Sequence, residues 1–168
     1  AVNPDPAHID GVLLPFNVSN APLAVQKILK GESHSHLITM AEAKLNDGQS
    51  LLAFNDLFIG VRTHVSARYL IQANGKEEHH SSSGILVSTG AGSTGWLSSM
   101  FNMANGMLSE FANAEPKIQK PQLTWDTDKL IFVVREPFIS KTSGAQIVCG
   151  AITAASPLIL NPKCPKAA

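Results

Sequence analysis

Cysteine is scarce in this chain: Cys149 and Cys164 are the only two among 168 residues. That is too few for a dense disulfide framework or a cysteine-rich zinc site. Cys149 sits in an apolar, strand-like run, where a small buried thiol is expected. Charge of one sign is missing too. Thirteen basic residues balance thirteen acidic ones, so no net field holds nucleic acid by its phosphates and no nucleic-acid partner is expected. Nor is there a long apolar run. The longest wholly apolar stretch, Leu130 to Val134, is far too short to cross a bilayer, and no membrane partner is expected. The opening residues lack the charged and apolar regions of a signal peptide. Cytoplasm is therefore the expected compartment. An initiator Met is absent as well, and Ala1-Val2-Asn3-Pro4-Asp5-Pro6 reads like a strand end running into a turn. A missing upstream portion is the expectation.

What is present suffices for one domain over residues 1–168, since a hydrophobic fraction of 44% supports a true core. Pro4, Pro6, Pro15 and Pro22 make the first stretch loop-like. A short helix is expected from Leu23 to Lys30, stopped by Gly31. Strands are expected in His36 to Lys44 and in Ser50 to Val61, paired across Asn46-Asp47-Gly48. Ala67 to Ala73 and Ile85 to Thr89 are further strands, separated by Asn74-Gly75 and a polar stretch through Ser83. Leu97, Met100, Phe101, Ala104, Leu108 and Phe111 recur at three- and four-residue spacings, the mark of an amphipathic helix. Ser93 and Thr94 are good N-cap types at its start, and Pro116 and Pro121 end the region. Lys129 to Arg135, Gln146 to Thr153 and Pro157 to Leu160 complete the strands. Strands outnumber helices and do not alternate with them. The fold class expected is mainly β (α+β), a β-sandwich-like domain with one packed helix.

Between strand and helix, Gly90-Ala91-Gly92-Ser93-Thr94-Gly95 spells G-x-G-x-x-G. Glycines let a backbone approach a ligand closely, and free N–H groups at a helix start favour phosphate or ribose oxygens. The dinucleotide fingerprint also needs an acidic residue ending the next strand. Glu110 and Glu115 have the right distance but lie on or just after the helix, so the Rossmann reading fails. A P-loop fails for want of G-K-[ST]. A tight strand-to-helix turn that needs glycine for geometry alone is the other reading of the motif.

A wider pattern surrounds that turn. Ser83-Gly84-Ile85-Leu86-Val87-Ser88-Thr89-Gly90-Ala91-Gly92-Ser93-Thr94-Gly95-Trp96 resembles the D-G-L-I-V-S-T-P-T-G-S-T-A-Y signature of NAD kinases. Ala53-Phe54-Asn55-Asp56-Leu57-Phe58-Ile59 is similar to that family's A-L-N-[ED]-x-x-I motif. Arg68-Tyr69, the Lys129 to Phe138 run with its Arg135-Glu136-Pro137, and Asn3-Pro4-Asp5-Pro6 also resemble family segments, in the same order. Ser83 for Asp, Gly90 for Pro and Trp96 for Tyr depart from the usual signature and resemble the divergent mitochondrial-type branch. The loss of that Asp puts a nicotinamide-side contact in doubt. The family's G-G-D-G-T motif, whose Asp activates the acceptor hydroxyl, does not occur.

The resemblance implies the C-terminal, NAD-binding domain of an NAD kinase, inactive alone, with no catalytic residue in this chain. Its partner would be an N-terminal α/β domain of the same protein, and homo-oligomers are expected. NAD would be the substrate, with ATP or polyphosphate and Mg²⁺ as donor. Asn55, Asp56, Ser88, Ser93, Thr94, Gly95 and Trp96 would bind the nucleotide. Asn55 and Asp56 alternatively mark a bulge or a turn, and Trp96 either stacks on a base or anchors the core. Arg135 either pairs with Glu136 at a sheet edge or contacts phosphate. His34, His36, His79 and His80 read as solvated loop histidines, with no metal site, and Asp126 and Asp128 as turn formers. A lipid or sphingoid kinase domain and a non-catalytic nucleotide-binding or oligomerisation domain are the competing readings.

Overall fold

The structure, a computed structural model, describes residues 1–112 and 118–163. Glu115, Pro116 and Cys164, each given a reading above, lie outside the described residues. The chain divides into two compact units, residues 1–37 and residues 38 onward.

In the first unit, β1 (Val2–Asn3) pairs in parallel with β2 (Phe16–Asn17). Asn3 organises the turn between them: its amide donates to the Ile9 carbonyl at 2.8 Å and its side-chain oxygen accepts the Asp5 N–H at 3.0 Å. The expected helix forms as α1 (Ala21–Leu29), with Pro22 in its first turn, where a missing N–H costs nothing. It buries no side chain within the described chain.

The second unit is built on two sheets. One has the order β10-β9-β8-β5, from β5 (Asp56–Ile59), β8 (Gly84–Ser88), β9 (Leu130–Arg135) and β10 (Cys149–Ile152). The other has the order β11-β6-β7, from β6 (Ala67–Ala73), β7 (Lys76–Ser82) and β11 (Ile159–Pro162). A separate hairpin joins β3 (Ala41–Lys44) to β4 (Ser50–Ala53). All these pairings are antiparallel.

Strand alternation assigns the faces. Ile85 pairs with Val134 and Val87 with Phe132, and these four side chains join Leu57, Tyr69, Ile71, Ile147 and Ile152 in the core between the sheets. The intervening Leu86 and Ile131 turn outward and pack with Leu97, Met100 and Phe101 of α2 (Trp96–Phe111). The layers are therefore sheet, sheet and helix. A mainly β (α+β) domain with one packed helix is what the structure shows. Among the described residues no helix is long and apolar enough to cross a membrane.

Several expectations are corrected. Ser50 to Val61 is not one strand: the chain bends at Phe54–Asn55, and β4 and β5 enter different sheets. The polar stretch through Ser83 is not a loop. It is β7, paired along its full length with β6. His80 is thus no solvated loop residue; it is 3% exposed and stacks on Tyr69. Its Nε2 lies 2.7 Å from the Glu78 carboxylate. Cys149 is exposed rather than buried, because β10 is an edge strand. Arg135 ends β9, an interior strand, so its side chain does not leave from a sheet edge.

Candidate functional site

The strand-to-helix segment starts where β8 leaves its ladder at Ser88. Thr89, fully buried, donates its N–H to the Asn55 carbonyl at 2.9 Å and its hydroxyl to the Phe54 carbonyl at 2.6 Å. Its Oγ1 also accepts the Gly92 N–H at 3.1 Å. These bonds draw the chain into the Phe54–Asn55 bend and fasten that corner to the turn. A single 3-10 turn, Gly92–Thr94, then leads into α2.

Packing explains two of the three motif glycines. A Cβ at Gly90 would collide with the Thr124 carbonyl, and one at Gly92 with the Asn55 carbonyl and the Asp56 carboxylate. These contacts are with the protein's own chain. Gly95 is different: it is exposed, and its nearest neighbour for a Cβ is the Gly92 carbonyl oxygen at 3.5 Å. Gly95, not Ser93 or Thr94, occupies the N-cap of α2, and no side chain caps the helix. The reason is that Ser93 is buried and donates its hydroxyl to the Gly90 carbonyl at 2.8 Å. Lys120, a residue the sequence did not single out, places its ammonium 3.1 Å from the Ser93 carbonyl. Thr94 is exposed.

Asn55 and Asp56 form the facing wall. Asn55 is exposed, whereas Asp56 is half-buried and pairs with Ser88 in the β5–β8 register. Asp56 Oδ1 is buried without a hydrogen-bond partner among the described residues. Burial pushes the Asp56 carboxyl up from its ordinary range, while the Ser88 hydroxyl works in the opposite sense.

One strand step further, Phe58 lies under Trp96, with ring centroids 5.5 Å apart and an interplanar angle of 26°. The Arg135 guanidinium sits over both rings, 5.3 Å from Trp96 and 5.7 Å from Phe58. Glu136, at a φ of 48°, reaches it at 3.4 Å. Gly84 makes this stack feasible. It faces Arg135 in the ladder, its φ is 123°, and a Cβ there would press on the Phe58 ring at 2.8 Å. Phe58 was missed in the sequence, although two residues after Asp56 on one strand is the same sheet face.

The residues nominated from sequence therefore lie in one continuous region on the helix side of the four-stranded sheet. They divide by exposure. Asn55, Thr94, Gly95 and Trp96 face solvent, Trp96 at 39%. Ser88 and Ser93 are buried and satisfy the turn itself. Arg135 is engaged by the aromatic pair and Glu136. Two clefts on the molecule, one at Gln72 to Glu77 and one beneath residues 59–69, include none of these residues.

No protein-family model matches this sequence, and no curated protein matches it. Among solved structures the fold is similar to that of a yeast NADH kinase complexed with NADH, at a TM-score of 0.58 and 15% identity. The similarity covers 88% of this chain but 39% of that kinase's chain. At this identity it shows the fold, and the chain spans well under half of the kinase's length.

Proposed function

We propose that this chain is the substrate-binding domain of an NAD kinase-type phosphotransferase and holds an NAD-type nucleotide at the start of α2. The observation that carries the reading is that buried Thr89 ties the Phe54–Asn55 bend to the strand-to-helix turn, which brings together the two segments that carry exposed Asn55, Thr94, Gly95 and Trp96. The related fold, solved with NADH bound in that other protein, supports it.

Each exposed group has chemistry to offer. The Asn55 amide both donates and accepts, as ribose hydroxyls require. The Thr94 hydroxyl and the free N–H groups at the helix start suit ribose or phosphate oxygens. Trp96, made electropositive on one side by Arg135, offers the other part of its surface to a base. Arg135 then acts through Trp96, and a direct phosphate contact would require it to leave that stack.

In the proposed reaction the adenine-ribose 2′-hydroxyl attacks the γ-phosphorus of ATP or the terminal phosphorus of polyphosphate, and the bond to the leaving phosphate breaks. This chain positions the nucleotide. Proton removal falls to the Asp of an N-terminal α/β domain, so the chain alone is inactive. Among the described residues no three His, Cys, Asp or Glu side chains converge. In this proposal the Mg²⁺ that accompanies the phosphate donor would be held mainly by the donor's own phosphates. An open surface also needs a second wall, because ligand sites typically bury most of their ligand. Exposed Met103, Met107 and Phe111 along α2 offer surface for that domain or for a homo-oligomer.

Calorimetric titration of NAD and NADH into the complete parent protein tests the reading. Thr94→Ala and Asn55→Ala should each weaken binding about tenfold, the equivalent of one lost hydrogen bond to a polar ligand. Absence of nucleotide binding by the complete protein overturns it. Phosphorylation of a lipid in preference to NAD would establish the competing lipid-kinase reading.

A further inference from the structure

The segment from Ile118 to Trp125 is held at three points to α2 and to the strand-to-helix turn. The Asn105 side chain of α2 donates to the Ile118 carbonyl at 3.1 Å and accepts the Ile118 N–H at 2.7 Å. Leu123 packs with Leu86, Leu97 and Ile131 on the helix side of the sheet. The Thr124 carbonyl occupies the space that a Cβ at Gly90 would need. The backbone on both sides of Lys120 is therefore fixed by residues other than Lys120. Pro121 in turn restricts Lys120 to extended backbone.

That placement brings the Lys120 ammonium 3.1 Å from the Ser93 carbonyl, on the peptide that also carries the Thr94 N–H. The side chain is partly buried, and among the described residues it pairs with no carboxylate. A carbonyl takes one of the three N–H groups of a lysine, and two remain. One bond to a neutral oxygen does little more than offset the rotamer freedom that so long a side chain gives up. Beside an anion the same ammonium achieves more, because a charge-assisted bond is about twice as strong. The other cation of this surface, Arg135, is occupied by Glu136 and by the Phe58 and Trp96 rings. The α2 N-terminus next to Lys120 has no side-chain cap, and its N–H dipoles add a field of the same sign as the ammonium.

We infer that the Lys120 ammonium binds a phosphate of the dinucleotide. The inference rests on the nucleotide reading of this surface and names the residue that recognises the ligand's charge. Its test is calorimetric titration of NADH into the complete parent protein, wild type and Lys120→Met, at about 0.1 M and about 1 M NaCl. Lys120→Met should weaken NADH about tenfold at the lower salt. At the higher salt, where charges are screened within about 3 Å, the gap should narrow to about threefold. The melting temperature should stay within about 2 °C of wild type, since Asn105, Leu123 and Thr124 hold the segment. Lys120→Gln keeps an N–H for the Ser93 carbonyl but no charge, and should bind NADH as weakly as Lys120→Met. Affinity restored by Gln, or a gap of equal size at both salts, overturns the inference and makes Lys120 a structural tie. NADH affinity unchanged in Lys120→Met also overturns it and leaves the nucleotide reading standing. So does inorganic pyrophosphate that binds wild type as tightly as NADH and is weakened by Lys120→Met, which would put the phosphate donor at this lysine. If the wild type binds no NADH, the nucleotide reading itself falls, and the inference with it.

Discussion

Two carboxylates in this domain, Asp56 and Glu78, each lie against a glycine and yet live in opposite surroundings. Glu78 is saturated: it accepts the Gln146 N–H at 2.9 Å, the Ile147 N–H at 3.0 Å and the His80 ring at 2.7 Å. Gly144 leaves room for it, since a Cβ there would strike its Oε1. Burial alone would raise the Glu78 carboxyl, but the Ile147 amide, His80 and the Gln146 amide outweigh it and hold it below the ordinary 4.5. Asp56 has a similar glycine shoulder in Gly92 and keeps one buried oxygen without a hydrogen-bond partner among the described residues. Its carboxyl is raised. The difference separates a group spent on the fold from one left with unused bonding capacity, and the latter lies on the candidate nucleotide surface.

The largest expected effect comes from breaking the saturated member. Glu78→Ala strands buried His80 and the part-buried Ile147 amide and should cost about 2 kcal/mol in a urea melt. A cost below about 0.5 kcal/mol, the level of an ordinary surface change, would show that the clamp is ornamental. The clamp also has a pH signature. Because its folded value is depressed, Glu78 contributes stability above 4.5 that is lost as pH falls through the lower folded value. Glu78→Gln should flatten the acid limb of the stability curve, and an unchanged limb would contradict the assignment.

Gly92→Ala comes next. Its methyl pushes on both the Asn55 carbonyl and Asp56, at an expected cost of about 2 kcal/mol. Nucleotide binding, measured by calorimetry, should fall with it. Stability lost with binding intact would detach the turn from the proposed site.

Asp56→Asn should have the smallest effect on stability and the opposite sign. The native carboxyl holds its proton above the ordinary 3.8, so wild-type stability declines as pH rises from there through the raised folded value. An amide escapes that decline and should be about 1 kcal/mol more stable at neutral pH. Greater stability together with weaker nucleotide binding is the signature of a functional carboxylate. A less stable variant would mean that the Ser88 hydrogen bond outweighs the burial of the carboxylate.

The strand-turn-helix segment was legible because its signals are local. Apolar Ile85 to Val87 stops at small residues, and helical spacing begins at Leu97. β7 was not legible, because its inward side chains are Glu78, His80 and Ser82. Their partners, Gln146, Ile147 and Tyr69, lie elsewhere in the chain, and polar residues satisfied at long range leave no apolar alternation to read. The Phe54–Asn55 bend was hidden for the same reason, since Thr89 imposes it from another strand. In the sequence, the glycines of G-x-G-x-x-G fit either close approach of a ligand or turn geometry alone. Gly90 and Gly92 are filled by the protein, and only Gly95 is open.

The ties of Thr89 to Phe54, Asn55 and Gly92 have a consequence in time. A glycine-rich turn at a surface ordinarily opens on its own, ahead of the domain. Here the Thr89 amide is buried and bonded to Asn55 from another part of the chain, and the buried Gly92 amide is bonded to the Thr89 hydroxyl, itself tied to Phe54. Their hydrogens should exchange with solvent as slowly as those inside β8, through cooperative opening of the whole sheet. Asn55 and Thr94 would then hold their spacing before any nucleotide arrives.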